Sequence, residues 1–238
     1  MESAFVHRSS GRHASPRPAP GGPLDDWPVS VKDNFCTFDM PTSCSSRMLR
    51  DYRSPFEATA VKLLREAGAC IIAKSNCDEF GMGSANLYSV YGPVLNPESW
   101  VGEERVAGGS SGGAAASTAC HATRIALASD TGGSIRTPAA YCGVYGLKPS
   151  YGLVSRWGLV AYADSLDTVG LLGASSNDIR TAFRVISRFD EQDPTSIPND
   201  VRDGAAKLAG GAIEEFAGSD GPLSGLRVGV PVDFFPPS

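Results

Sequence analysis

Two serines of this chain are wrapped in glycine. They lie at positions 110 and 134 of the stretch RVAGGSSGGAAASTACHATRIALASDTGGSIR, Arg105 to Arg136. Glycine runs of this kind either cradle a phosphate on backbone N–H groups or expose a nucleophile on a tight turn. A phosphate loop needs Lys directly after its last glycine, and no Lys follows Gly113 until Lys148. The dinucleotide pattern G-x-G-x-x-G fails as well, because GMGSAN at 81–86 ends in Asn. Nucleotide binding is set aside on those grounds.

The nucleophile pattern G-x-S-x-G does fit, as Gly108-Gly109-Ser110-Ser111-Gly112 with Ser110 at its centre. Such a serine needs a base. The usual order places Asp or Glu and then His further along, yet the only downstream histidine is His121, eleven residues on and within the helix that the turn would open. It cannot fold back onto the serine. A lysine desolvated enough to lose its proton is the common substitute. Lys32 follows Val29-Ser30-Val31, and strand alternation turns it to the face opposite the two valines. Burial there would disfavour its ammonium form; at a strand end in water it is an ordinary ammonium. The local sequence leaves both open.

These residues need a scaffold, and the signals along the chain alternate between strand and helix. VSVKDN suits a short strand, CIIAKS a buried one and IALASD a third. Ser54-Pro55-Phe56-Glu57 has the form of a capping box opening a helix that runs to about Gly68, with Ala60, Val61, Leu64 and Ala67 on one face. Gly113 to about Thr123 is Ala-rich enough for a helix, and Ser176 starts another whose stripe is Ile179, Ala182, Phe183 and Ile186. LRVGVP near residue 230 is one more strand, and 191–225, rich in Asp, Pro, Gly and Ala, reads as a surface connection. The order predicts an α/β domain with a largely covered sheet.

Composition bounds the function. The 238 residues are 42% hydrophobic and 20% charged, sufficient for a sizeable core. A net charge of −5 provides no broad basic field for a long nucleic acid, and a small substrate or a protein partner fits better. The most apolar stretch, 114–128, is interrupted by His121 and Arg124, so no membrane insertion is expected. Six cysteines without a C-x-x-C pair and three histidines supply no metal cluster, and the thiols read as small buried side chains in a reducing compartment. Residues 1–23, rich in Ser, Arg and Pro with Glu2 their single acid, suit either an organelle transit segment or a disordered tail. The domain proper is expected over 24–238.

Taken in order, VSVKDN, GGSSGG and SDTGGSIRTPA resemble the amidase signature family. The resemblance implies an α/β fold with a mixed sheet covered by helices on both faces, of which this chain is the N-terminal part. It also implies a Ser, cis-Ser and Lys triad: Lys32 as base, Ser110 as relay after a cis Gly109–Ser110 peptide, and Ser134 as the acylated nucleophile. The 24-residue step from Ser110 to Ser134 matches the family. Around the nucleophile, the amides of Thr131, Gly132, Gly133 and Ser134 can converge into an oxyanion hole, each good donor being worth about 3 kcal/mol in the transition state. Asp130 and Arg136 flank this loop, either as a brace or as a solvated pair.

The strings DEF-x-MGS and SRWGLVAYADSLD are more specific still. They resemble the glutamine-hydrolysing, A-type members of the complexes that turn Glu-tRNA(Gln) into Gln-tRNA(Gln). That resemblance implies glutamine as substrate, a B-type subunit that binds the tRNA and uses ATP and magnesium, and a small third subunit of C or F type. It implies no metal or cofactor in this chain. LRVGVPVDFF resembles the middle of such A-type chains, so the Arg and Asp that grip the ends of glutamine are expected beyond this sequence, and the short front resembles fungal mitochondrial forms. Ala114 stands where Ser is more usual and Leu171 where Pro is. A stand-alone hydrolase of acyl or aryl amides, and an inactive remnant, are the alternatives. The expected location is mitochondrial, otherwise cytoplasmic.

Overall fold

A computed structural model describes residues 2–9, 21–99 and 102–216, together with 227 and 229. The chain divides into two compact units, Met1–Ser196 and Ile197–Ser238. In the first, the elements run β1 (Phe5–Arg8), β2 (Pro28–Lys32), α1 (Thr59–Glu66), β3 (Cys70–Ser75), α2 (Gly112–Ala119), β4 (Ile125–Asp130), α3 (Arg136–Cys142), β5 (Tyr145–Leu147), β6 (Thr168–Gly173) and α4 (Ser176–Ile186). The second unit contributes α5, Asn199–Phe216.

The six strands form one mixed sheet in the order β1-β3-β2-β4-β6-β5. β2 runs parallel to both β3 and β4 at its centre, while β1, β6 and β5 join antiparallel. Alternation sorts the side chains by face. Val29, Val31, Ile125, Leu127, Val169 and Leu171 pack under Val61 and Leu64 of α1 and Ile179, Ala182 and Ile186 of α4. On the other face Ala126, Ala128 and Leu172 meet Ala114, Ala115 and Ala116 of α2 and Ala139 of α3. The mixed sheet with helices on both faces is the expected architecture.

The small side chains matter on the second face. Every residue from Gly112 to Thr118 of α2 is buried, and a Cβ on Gly113 would stand 2.6 Å from the backbone N and O of Asn76. A helix of Gly, Ala and Ser can approach the sheet closely, and Ser117 Oγ reaches Ser30 Oγ of β2 at 3.3 Å. That contact marks the face onto which Ser30 and Lys32 project.

Several local expectations are corrected. The capping box does not form: α1 begins at Thr59, Ser54 Oγ accepts instead from Phe56 N at 3.3 Å, and Glu57 is drawn to Arg65 Nε at 3.1 Å. A partly buried guanidinium competes for Glu57 better than the backbone N–H it was expected to cap. α2 stops at Ala119, leaving His121 exposed in a left-handed conformation rather than in the helix. Residues 5–8 of the supposed tail are a strand, held by β3 and by Asn76, whose N–H donates to Ala4 O at 2.9 Å and whose Nδ2 donates to Ser3 O at 3.0 Å. Part of the supposed connection at 191–225 is helical, consistent with the helix formers in NDVRDGAAKLA. α3, β5 and β6 carry no clear local signal and emerge only in the structure. Of the strand expected at LRVGVP only residues 227 and 229 are described, and the rest lies outside the described residues. Among the described residues no helix is long and apolar enough to cross a membrane.

Candidate active site

Lys32 is the last residue of β2 and is fully buried. The choice left open by the sequence falls on the buried side. Its Nζ lies 2.8 Å from Ser110 Oγ, 3.0 Å from Ser129 Oγ and 3.4 Å from Ser129 O. Among the described residues no carboxylate stands within ion-pair distance of it. Burial pushes the amine below the usual lysine range, against the opposing pull of Cys77, Asp78, Asp130 and Cys44. An amine so placed is protonated less readily than an exposed lysine, and of its three oxygen partners among the described residues Ser110 Oγ is the nearest.

Ser110 sits on a turn built around a buried carboxylate. The Gly109–Ser110 peptide is cis. Asp78, fully buried, accepts from the amides of Asn86 at 2.8 Å and Tyr88 at 3.0 Å, while its own N–H donates to Ser110 O at 3.2 Å. A Cβ on Gly109 would fall onto the Asp78 carboxylate and 2.7 Å from the Asn86 amide nitrogen. Only glycine fits there. Asn86 Oδ1 in turn accepts from Gly112 N at 2.9 Å, which ties the start of α2 to the same loop.

Ser134 heads the second glycine loop and is buried, with 9% of its surface exposed. Asp130, at the end of β4, organises that loop from inside. It accepts from Gly133 N at 2.8 Å, Ile135 N at 3.0 Å and Arg136 N at 3.2 Å, and the Arg136 guanidinium grips it through two nitrogens at 3.1 and 2.8 Å. Burial alone would raise this carboxyl, but the bonds from Arg136 and the three amides outweigh it and hold the group at about 2. The pair is therefore a brace, with the carboxylate inside and the guanidinium half exposed. One part of the expected oxyanion hole is corrected: the Gly133 amide is already engaged by Asp130. The donors left to converge are those of Thr131, Gly132 and Ser134. Thr131 is itself fixed by its hydroxyl, 2.6 Å from Asp167 Oδ1.

The two loops meet, since Ser111 N donates to Ser134 O at 3.1 Å and Ser111 Oγ donates to Ser129 O at 3.2 Å. Lys32 and Ser110 are in direct contact. Among the described residues no hydrogen bond joins Ser110 Oγ to Ser134 Oγ; the two loops are linked through Ser111 instead. Sequence reasoning missed Ser129, Asn34, Asp78 and Asn86. Their signal lies within strings already singled out, KDN, DEFGMGSAN and SDTGGS, but nothing local says which polar residue faces inward. Among the described residues no group of His, Cys, Asp and Glu could hold a metal ion.

Comparison with known proteins bears on this arrangement. The sequence pattern of the Amidase family matches residues 7–237. The chain belongs to the amidase family. Among its amidase relatives, the A-type chain of the mitochondrial glutamyl-tRNA(Gln) amidotransferase of Mycosarcoma maydis is 54% identical over 226 residues, covering 90% of this chain and 42% of that protein. The corresponding chain of the amidotransferase from Salinibacter ruber is 49% identical over 213 residues, covering 90% and 39%. Among solved amidase structures, the A-type chain of the glutamyl-tRNA(Gln) amidotransferase from Thermotoga maritima superposes with a TM-score of 0.72 at 44% identity, covering 82% of this chain and 42% of that one. This amidase chain thus spans about two-fifths of the length of the relatives it matches.

Proposed function

We propose that this chain carries the reacting groups of a glutamine amidohydrolase, the component that releases ammonia for conversion of Glu-tRNA(Gln) to Gln-tRNA(Gln). The observation that carries the reading is the 2.8 Å contact between the buried Lys32 amine, without a carboxylate partner among the described residues, and Ser110 Oγ. Neutral Lys32 takes the proton of Ser110, which takes that of Ser134 as Ser134 Oγ attacks the carboxamide carbon. The oxygen that becomes negative faces the amides of Thr131, Gly132 and Ser134. When the C–N bond breaks, the proton held by Lys32 returns through Ser110 to the leaving nitrogen, and ammonia departs. Water, deprotonated along the same path, then cleaves the acyl ester.

The narrower assignment to glutamine rests on the relatives, whose names specify glutamyl-tRNA(Gln) amidotransferase. On that reading the partners are a B-type subunit, which binds the tRNA with ATP and magnesium, and a small third subunit of C or F type. The acidic charge of this chain agrees with leaving the tRNA to a partner. The mitochondrial forms among the relatives favour a mitochondrial location.

The test has two stages. A fluorophosphonate should label Ser134 in the wild type and fail to label the Lys32→Ala and Ser134→Ala variants; equal labelling of all three excludes the triad. Ammonia release from glutamine is then measured with and without a B-type partner. Release that depends on the partner supports the amidotransferase role, and turnover of simple acyl amides alone points to a stand-alone hydrolase.

A further inference from the structure

We infer that Ser129 and Asn34 form a positioning pair for Lys32, Ser129 supplying two of the three oxygens around the amine and Asn34 holding the Ser129 hydroxyl in place. The inference rests on the reading of Lys32 as the base. Among the described residues Nζ has three oxygen partners: Ser110 Oγ at 2.8 Å, Ser129 Oγ at 3.0 Å and Ser129 O at 3.4 Å. An ammonium has three N–H donors, so the protonated lysine is matched donor for acceptor. A neutral amine has two N–H donors and one lone pair. If both donors are taken by Ser129, the lone pair is left facing the Ser110 hydroxyl, the direction in which a proton must travel.

Asn34 fixes the other side of Ser129. Its Nδ2 donates to Ser129 Oγ at 3.0 Å, and both residues are buried, at 3% and 4% exposure. Asn34 is anchored through its main chain, where its carbonyl accepts from Val160 N at 2.9 Å. The titratable groups facing the Lys32 amine are Cys44, Cys77, Asp78 and Asp130; none of them hydrogen-bonds to it among the described residues. The hydroxyl and carbonyl of Ser129 are thus the neighbours, apart from the relay serine, that decide how the amine points.

The consequence separates this role from mere support. Loss of the Ser129 hydroxyl removes an acceptor from the charged form, so the lysine gives up its proton more readily and the rise of activity with pH moves down. The same loss lets the lone pair swing away from Ser110, so the plateau rate falls. A variant that is deprotonated at lower pH yet slower has a misdirected base, whereas a general loss of packing lowers the plateau without moving the midpoint.

The experiment is the rate of fluorophosphonate labelling of the full chain across pH, for wild type, Lys32→Ala, Ser129→Ala, Ser129→Thr and Asn34→Ala, with thermal unfolding of each recorded in parallel. In Ser129→Ala the midpoint should fall by about one pH unit and the plateau by about tenfold. Asn34→Ala should move both the same way by less, and Ser129→Thr should restore both. If Lys32→Ala abolishes labelling while the midpoint in Ser129→Ala and Asn34→Ala stays put, the positioning role is wrong and the base assignment stands. If Lys32→Ala labels like wild type, the base assignment itself has failed. Should Ser129→Ala not fold, Asn34→Ala decides by the same criterion.

Discussion

Lys32 and Lys74 are both fully buried on adjacent parallel strands, β2 and β3, and among the described residues only Lys74 of the two has a carboxylate partner, Asp33 Oδ1 at 3.5 Å. Lys74 also donates to Phe35 O at 2.7 Å, Thr42 Oγ1 at 3.0 Å and Pro41 O at 3.2 Å. Asp33 in turn accepts from Ser43 Oγ and from Ser45 N at 3.0 Å, so the pair staples the 42–46 loop to the sheet. Lys74 is held in an ion pair and a loop-binding network, whereas Lys32 is held by hydroxyl and carbonyl oxygens.

Substitution should separate the two roles. Lys74→Met leaves Asp33 buried without its counter-ion and should lower stability by about 3–5 kcal/mol, read from chemical denaturation. Lys32→Met removes a buried amine that makes no ion pair among the described residues, so stability should be held or raised while fluorophosphonate labelling is lost. Equal destabilisation by both would contradict the distinction.

Asp130 gives a pH dependence with a defined sign. Its carboxyl lies at about 2 in the folded chain against an ordinary value of 3.8. A depressed carboxyl contributes stability that is complete above the unfolded value and is lost as pH falls from about 4 towards 2. The amount is about 2 kcal/mol. Denaturation curves at pH 5, 4, 3 and 2 should show that loss in wild type, and Asp130→Asn should flatten it. An unchanged slope in the variant would place the acid sensitivity elsewhere.

Gly109→Ala tests the packing of the turn that carries Ser110. The added methyl meets the Asp78 carboxylate on one side and the amide nitrogens of Asn86 and Ala85, at 2.7 and 2.9 Å, on the other. The Asp78 carboxylate and the Asn86 amide are hydrogen-bonded to each other and have little room to yield. A loss of more than about 2 kcal/mol is expected, with labelling of Ser134 abolished. Wild-type stability in this variant would show that the loop has room to spare.

The cysteines should differ sharply in reactivity. Cys70 is exposed and Cys120 partly so, whereas Cys36, Cys44, Cys77 and Cys142 are buried. Burial pushes the Cys77 thiol up to about 11 and Cys142 to about 12, with Cys44 raised as well. Iodoacetamide at neutral pH should therefore modify Cys70 first, Cys120 more slowly and the buried four only on denaturation. Mass spectrometry of the modified peptides reads the order, and early alkylation of Cys77 would contradict it.

What can be read from the sequence follows the range of the interaction. β2, β3 and β4 are visible because branched apolar runs declare themselves locally. β6 is not, since TVGLLG carries two glycines where a strand pattern wants bulk. The structure supplies the reason for one: a Cβ on Gly170 would collide with the Leu147 carbonyl of β5 and come within 2.9 Å of Ile135 Cδ1. The capping box at Ser54 fails because Arg65, eight residues beyond Glu57, is the stronger partner. In the site, the two glycine-wrapped serines stand out by residue type, while the burial of Lys32 and the grouping of the three follow only from the family resemblance. Ser129 and Asn34 do not stand out, being 95 residues apart in the chain and joined only by the fold. Whether Asp130 is braced or solvated likewise depends on the turn that wraps three amides around it.

The edge of the sheet carries a last implication. Phe5–Arg8 shields one side of β3, and the carbonyls just before it occupy Asn76. A peptidase that trimmed the first two dozen residues would strip that margin and leave a row of unmatched amides and carbonyls, a template on which any extended peptide, including another copy's own front, could crystallise its backbone.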